Sequence, residues 1–209
     1  MAIACAGVIA KLVRGISTGS SGITATSSVS VLCHLGTTPA VQHLIIQASG
    51  VQALVECLQT GPATAAPAAL QLLLAVTNSS GGHGPEAAPP SKAQVAQREA
   101  VLRRISVLGG IPLLVGMAET WEAKAVAKGS LAGVATCIAA CRLLVDLMEL
   151  GDEMQRYVGL AGGVPVFARL LRSHLDTAGS IPMDADVRLP SCTVCAFRWR
   201  CISSAFAQH

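Results

Sequence analysis

The residues with spacing suited to a metal lie at the end of the chain. Cys192 and Cys195 form a CxxC pair, Cys201 follows after five residues, and His209 closes the sequence. Tetrahedral zinc takes four such ligands, commonly as two close pairs that each fix one edge of the tetrahedron. Only one pair is present, so Cys192, Cys195 and Cys201 are metal candidates short of a full set. The plainer expectation is thiols in an irregular tail, with no metal and no cofactor. The same tail interleaves Phe197, Arg198, Trp199 and Arg200, types that stack on bases or sit at a membrane interface. Four residues are too few to carry that reading, and a tail folded back over apolar surface is the alternative. GSSG from Gly19 and GGHG from Gly81 are glycine-rich, but no strand leads into either, so both read as turns. His83 has no carboxylate or Cys placed to orient it, and reads as a solvated loop residue. His34 and His43 stand in apolar helical surroundings, packed or facing a groove. The sequence holds no phosphate loop, HExxH helix, GxSxG elbow or dinucleotide fingerprint. The expectation is a protein that is not an enzyme.

Composition narrows the classes further. The 209 residues are 52% hydrophobic and 13% charged, about half the charged share of a typical soluble domain. That excludes a disordered chain or a polybasic arm, and the net charge of +3 implies neither an acidic partner nor nucleic acid. Among Lys, Arg, Asp and Glu, only Lys11, Arg14, Glu56 and Glu86 precede Ser91. The first half must therefore be mostly core, or must stack on something. Gly15 to Val55 carries no such charge, yet Gly19, Gly22, Gly36, Pro39 and many Ser and Thr interrupt it, so no transmembrane segment is expected. The apolar run Ala2 to Ala10 has no basic residue ahead of it, and no export signal is read there. Cys33, Cys57, Cys137 and Cys141 fall inside apolar helical patterns, where a reduced Cys acts as a small hydrophobe. A reducing compartment, cytoplasmic or nuclear, fits that usage.

Behind these residues stands a repeat. Four segments align without gaps: GVIAKLVRGI from Gly7, SGVQALVECL from Ser49, GGIPLLVGMA from Gly109 and GGVPVFARLL from Gly162. The third position is always β-branched (Ile9, Val51, Ile111, Val164), and the sixth is large and apolar (Leu12, Leu54, Leu114, Phe167). Each block reads as a tight turn followed by a helix, with Gly7, Gly50, Gly109, Gly110, Gly162 and Gly163 supplying backbone that a Cβ would forbid. Pro112 and Pro165 fall in the first helical turn, where a missing N–H is harmless. The blocks start 42, 60 and 53 residues apart, against the roughly 40 to 47 expected for HEAT and armadillo units. The loop NSSGGHGPEAAPPSK, Asn78 to Lys92, accounts for the first excess. Extra helical turns around Glu119 to Ser130 account for the second.

On these residues the chain resembles the armadillo repeat family over roughly residues 1–175. GGIPLLVGMA and GGVPVFARLL match that family's second helix. VLCHL from Val31 and LLVDL from Leu143 match its third more loosely, with His34 and Asp146 where the family usually has Asn. The resemblance implies an all-α, right-handed α-solenoid, an armadillo- or HEAT-like superhelix of about four repeats. It also implies that third helices line a concave groove for a protein or peptide. The repeats run about 1–40, 41–92, 93–151 and 152–175, with residues 176–209 an irregular tail. Nuclear-import adaptors of the family carry a ladder of Trp and Asn on their third helices. Here Trp121 and Trp199 fall off that face, which argues against basic import cargo.

Periodicity orients the third helix of the third unit. Val134, Cys137, Ile138, Cys141, Leu144, Val145 and Met148 recur at helical spacing and read as its inward face. Arg142, Asp146 and Glu149 fall on the other side, either a solvated face with a weak Arg142–Asp146 pair or, with His34, a partner-binding stripe. In the second unit, Pro67 opens an almost wholly apolar helix, expected to be buried or to meet a partner. Both terminal units look incomplete, and a solenoid end without a polar cap exposes core. Self-association through those ends is the expectation. The functional expectation is a protein-binding scaffold or adaptor. The alternatives are a structural subunit whose apolar first half is permanently buried, and zinc or RNA binding by the tail.

Overall fold

The computed structural model describes residues 2–17, 22–77, 91–128 and 131–178. The tail candidates Cys192, Cys195, Cys201 and His209, the Phe197–Arg200 stretch, and His83 in its glycine loop lie outside those residues. The described residues are all-α, with ten helices and no strand. They are α1 (Ala2–Ser17), α2 (Gly22–Leu35), α3 (Pro39–Gln47), α4 (Gly50–Thr60), α5 (Ala66–Thr77), α6 (Lys92–Val107), α7 (Gly110–Lys128), α8 (Leu131–Met148), α9 (Asp152–Leu160) and α10 (Gly163–Ala178). The chain divides into two compact units, Met1–Val166 and Phe167–His209. The first holds α1 to α9 and the opening turn of α10, and the described part of the second is the remainder of α10.

Three corners share one construction. α3 leads into α4, α6 into α7 and α9 into α10, each across two residues that end on a left-handed backbone at Ser49, Gly109 or Gly162 (φ 61°, 76° and 87°). The same two hydrogen bonds close each corner. Ala48 and Ser49 donate to the carbonyls of Leu44 and Ile46, Leu108 and Gly109 to those of Arg104 and Ser106, and Ala161 and Gly162 to those of Tyr157 and Gly159. The next residue must be glycine for a separate reason, because its backbone is pressed against the residue five positions earlier. A Cβ on Gly110 would lie 2.5 Å from Ile105 Cγ2 and 2.7 Å from its carbonyl oxygen. One on Gly163 would lie 2.6 Å from Val158 Cγ1, and one on Gly50 would collide with Ile45. The chain turns by 81° between α6 and the first part of α7.

The first block departs from this plan. Gly7 lies in the middle of α1, exposed, with nothing within 4 Å of an added Cβ. It is not a turn glycine, since the chain is helical on both sides of it, and the position after it, glycine at 50, 110 and 163, is Val8. The apolar register behind it is kept even so: Ile9, Val51 and Ile111 are all buried, while Val164 in the last block is 41% exposed. Part of the surplus between the second and third blocks is helix, since α6 has 16 residues against 9 in each of α3 and α9, while residues 78–90 of the expected loop lie outside the described residues. α6 opens on a capping box. There Ser91 accepts from the Gln94 amide and the Gln94 side chain accepts from the Ser91 amide. The surplus around Glu119 to Ser130 lengthens α7, which continues to Lys128.

Packing follows the corners. α1, α4 and α7 touch in succession, and α2, α5 and α8 touch in succession beside them. Each member of the first row also packs on its neighbour in the second. α3 and α6 lie across these rows, against α4 and α5 and against α7 and α8 respectively. Leu54, Leu70, Leu73, Leu102, Leu114 and Leu144 are fully buried. The apolar face expected on the Pro67 helix is buried, with Ala69, Leu70, Leu72, Leu73 and Val76 all covered.

Glycine substitutions separate the two situations. Gly7→Ala should stabilise the protein by about 0.5–1 kcal/mol, since a helix-interior glycine with open space gains from a methyl. Gly110→Ala should cost about 1–3 kcal/mol, as overpacking against Ile105 does. Urea unfolding of both variants checks this, and equal effects would contradict the distinction.

Candidate functional site

Third helices are the elements to which the sequence assigns binding, so their faces matter most. Among the described side chains and glycines of α8 the buried positions are Gly133, Thr136, Cys137, Ala139, Ala140, Leu143, Leu144, Val145, Asp146 and Leu147. Val134 and Ile138, read from the sequence as inward, are each 43% exposed. The core face is therefore rotated towards Ala139, Leu143 and Leu147. The reason is contact on several sides, because α8 is packed by α5, α6, α7 and α9.

This rotation changes the part played by Asp146. The residue is 2% exposed, on the covered side and not on a solvated stripe. Arg98 of α6 reaches it, with Nη2 3.0 Å from Asp146 Oδ1 and 3.1 Å from Glu149 Oε2. Asp146 thus takes part in a bridge between helices. A buried carboxylate needs such a partner, because desolvation of an isolated charge costs several kcal/mol. Arg98 does not stand out in the sequence because it lies 51 residues from Glu149, and no local spacing joins them.

The remaining candidates stay accessible. His34 is exposed near the C-terminal end of α2, Glu149 is exposed just beyond α8, and Arg142 is half-buried on α8. The structure brings Asp146 and Glu149 together around Arg98. Val134 and Ile138 add apolar surface to the open side of α8, while Gln71 is the exposed position among the described residues of α5.

Two open clefts flank the Gly61–Pro62 corner between α4 and α5. One, of about 430 Å³, lies between that corner and α7 and is lined by Leu58, Pro112, Leu113, Met117 and Trp121. The other, of about 420 Å³, is lined by Ile16, Ala25, Glu56 and Thr60. Cys57 borders both. Burial pushes the Cys57 and Cys33 thiols up from the ordinary range, so both are protonated and poor nucleophiles at neutral pH. Among the described residues no group of three or more His, Cys, Asp or Glu gathers as a metal site. Among the same residues no single helix is long and apolar enough to cross a membrane.

Two measurements check these placements. Arg98→Ala leaves a covered carboxylate short of its cation and should cost about 2–3 kcal/mol, discounted because the Arg side chain is partly exposed. Arg98→Met with Asp146→Leu should recover most of that in urea unfolding, and a cycle without coupling would refute the bridge. Iodoacetamide at neutral pH should label Cys57 much more slowly in the folded protein than in urea, read by mass spectrometry.

No family model matches the chain, and no curated protein matches it. A solved structure does: a crystal structure of an engineered protein from the Northeast Structural Genomics Consortium, with a TM-score of 0.52 and 21% identity. The likeness covers 78% of this chain and 54% of that one, so this chain spans about half the length of the engineered protein. At that identity the similarity concerns the fold alone, and the chain is an all-α protein with a repeat-like helical fold.

Proposed function

We propose that this chain is a non-enzymatic, armadillo-like scaffold: about four units in a right-handed solenoid whose third helices present a surface to an extended peptide or protein segment. The observation that carries this reading is the serial packing of α2, α5 and α8 beside α1, α4 and α7. One glycine corner, closed by the same two hydrogen bonds, recurs three times in support of it. Stacked units of this kind create extended surfaces that suit extended partners.

His34, Arg142 and Glu149 are the polar contacts of the proposed surface, with Val134 and Ile138 as its apolar part. Asp146 supports the surface from beneath by holding Arg98. A reducing cytoplasmic or nuclear setting goes with this reading, since Cys33 and Cys57 are thiols within helices.

The test uses peptides selected from a random library on the intact chain. His34→Ala and Glu149→Ala should each weaken the selected peptides about fivefold, or ~1 kcal/mol, without lowering Tm. Failure of any peptide to enrich, or affinities indifferent to both changes, would overturn the reading. Asp146 is unsuited to this test, because its loss changes folding.

A further inference from the structure

Val107 and Leu160, the last residues of α6 and α9, are the most exposed large hydrophobic residues among those described, at 85% each. They hold the same place, because each stands directly before the corner that leads into Gly110 or Gly163. The match continues backwards along both helices. Arg103 and Arg156 stand four residues before them, and Glu99 and Asp152 four residues before those, all exposed. Steps of four residues keep to one helix face and advance about 6 Å along the axis. From its corner inwards, each helix therefore carries hydrocarbon, then a cation, then a carboxylate. Among the described residues, neither Arg103 nor Arg156 makes an ion pair. The two helices are neighbours, with Ser106 Oγ 3.4 Å from Met154 Sδ. The corner after α3 lacks the pattern: Pro39, His43 and Gln47 take the three places, and Gln47 Nε2 lies 2.9 Å from His43 Nε2.

The order of these layers indicates the occupant. An anionic bilayer presents the same order: a hydrocarbon boundary, a layer of charged headgroups, then water. An aliphatic side chain at the corner enters the boundary, and an arginine one turn behind it meets the headgroups. The carboxylates a further turn back stay in water, where salt screens their repulsion. Tyr157, 49% exposed on the turn that ends at Leu160, is of a type that settles at such interfaces. An acidic protein segment would answer the arginines and leave the repeated outermost hydrocarbon unaccounted for.

We infer that the corners after α6 and α9 dock this protein on an anionic lipid surface, Val107 and Leu160 entering the boundary and Arg103 and Arg156 meeting the headgroups. The inference goes beyond the scaffold reading and does not rest on it. A single short apolar anchor holds a protein at a bilayer only marginally, so the two corners act together and the attachment is reversible.

Co-sedimentation of the full chain with vesicles tests it. Vesicles of phosphatidylcholine with about 30% phosphatidylserine should bind the chain about fivefold or more tightly than phosphatidylcholine alone, and rising salt should weaken that binding. Val107→Ser and Leu160→Ser should each weaken it about tenfold. Arg103→Gln with Arg156→Gln should remove the preference for anionic vesicles. All four positions are exposed, so Tm should be kept. Val31→Ser, at an apolar position 44% exposed on a helix without arginine, should leave binding unchanged. Absence of binding to the anionic vesicles, indifference to the corner substitutions, or an equal loss from Val31→Ser would overturn the proposal. Arginine-dependent binding of poly-glutamate without binding to vesicles would overturn it too, in favour of an acidic protein partner.

Discussion

The contact between a corner glycine and the β-branched residue five positions before it governs the rest of this fold. Ile45, Ile105 and Val158 lie in the last turn of one helix, and Gly50, Gly110 and Gly163 start the next directly against them. The close approach lets a sharp change of direction occur across only two linking residues, so the second helix leaves the corner already packed. Any side chain at the glycine would separate the two helices. The residue before it takes a left-handed backbone, which glycine adopts without cost at 109 and 162. Ser49 takes the same conformation without that freedom, at a cost of about 1 kcal/mol. That a serine is held there shows how strongly the surrounding packing determines the turn.

That constraint also explains how much of the fold was legible. Three of the four aligned blocks are corners followed by helices, and their apolar third positions at 51 and 111 are buried. The block at Gly7 carries the same downstream pattern without the corner. Its difference lies at the second position of the block, where Val8 stands in place of Gly50, Gly110 and Gly163. A glycine at a corner and one merely tolerated in a helix look alike when that position is passed over. The residue directly after it separates them.

The face of α8 was less legible, for a different reason. A hydrophobic stripe identifies the buried side when a helix meets core on one side only. α8 meets four other helices, and several covered positions are filled by Ala139, Ala140 and Thr136, which carry little weight in such a count. Val134 and Ile138 carry more weight and lie outside. By spacing alone Asp146 belongs with Arg142 on a polar side, whereas it is covered and is reached by a cation from another helix. Periodicity within one helix cannot reveal a partner on a helix half a hundred residues away.

Three polar links between distant segments repeat that interval. Gln59 donates to the Leu108 carbonyl at 3.1 Å, Arg104 to the Gln52 side chain at 3.3 Å, and Ser106 to the Met154 sulfur at 3.4 Å. Each joins positions about one unit apart, and each involves α6 or the corner that follows it. The early helices α1 to α5 hold few charges and meet mainly through apolar surface, which is non-directional. From α6 onward, directional contacts add register to that packing. In a stack whose members touch chiefly their neighbours, stability at one position depends little on distant ones. The α8 end gains its register through Arg98, Asp146 and Glu149.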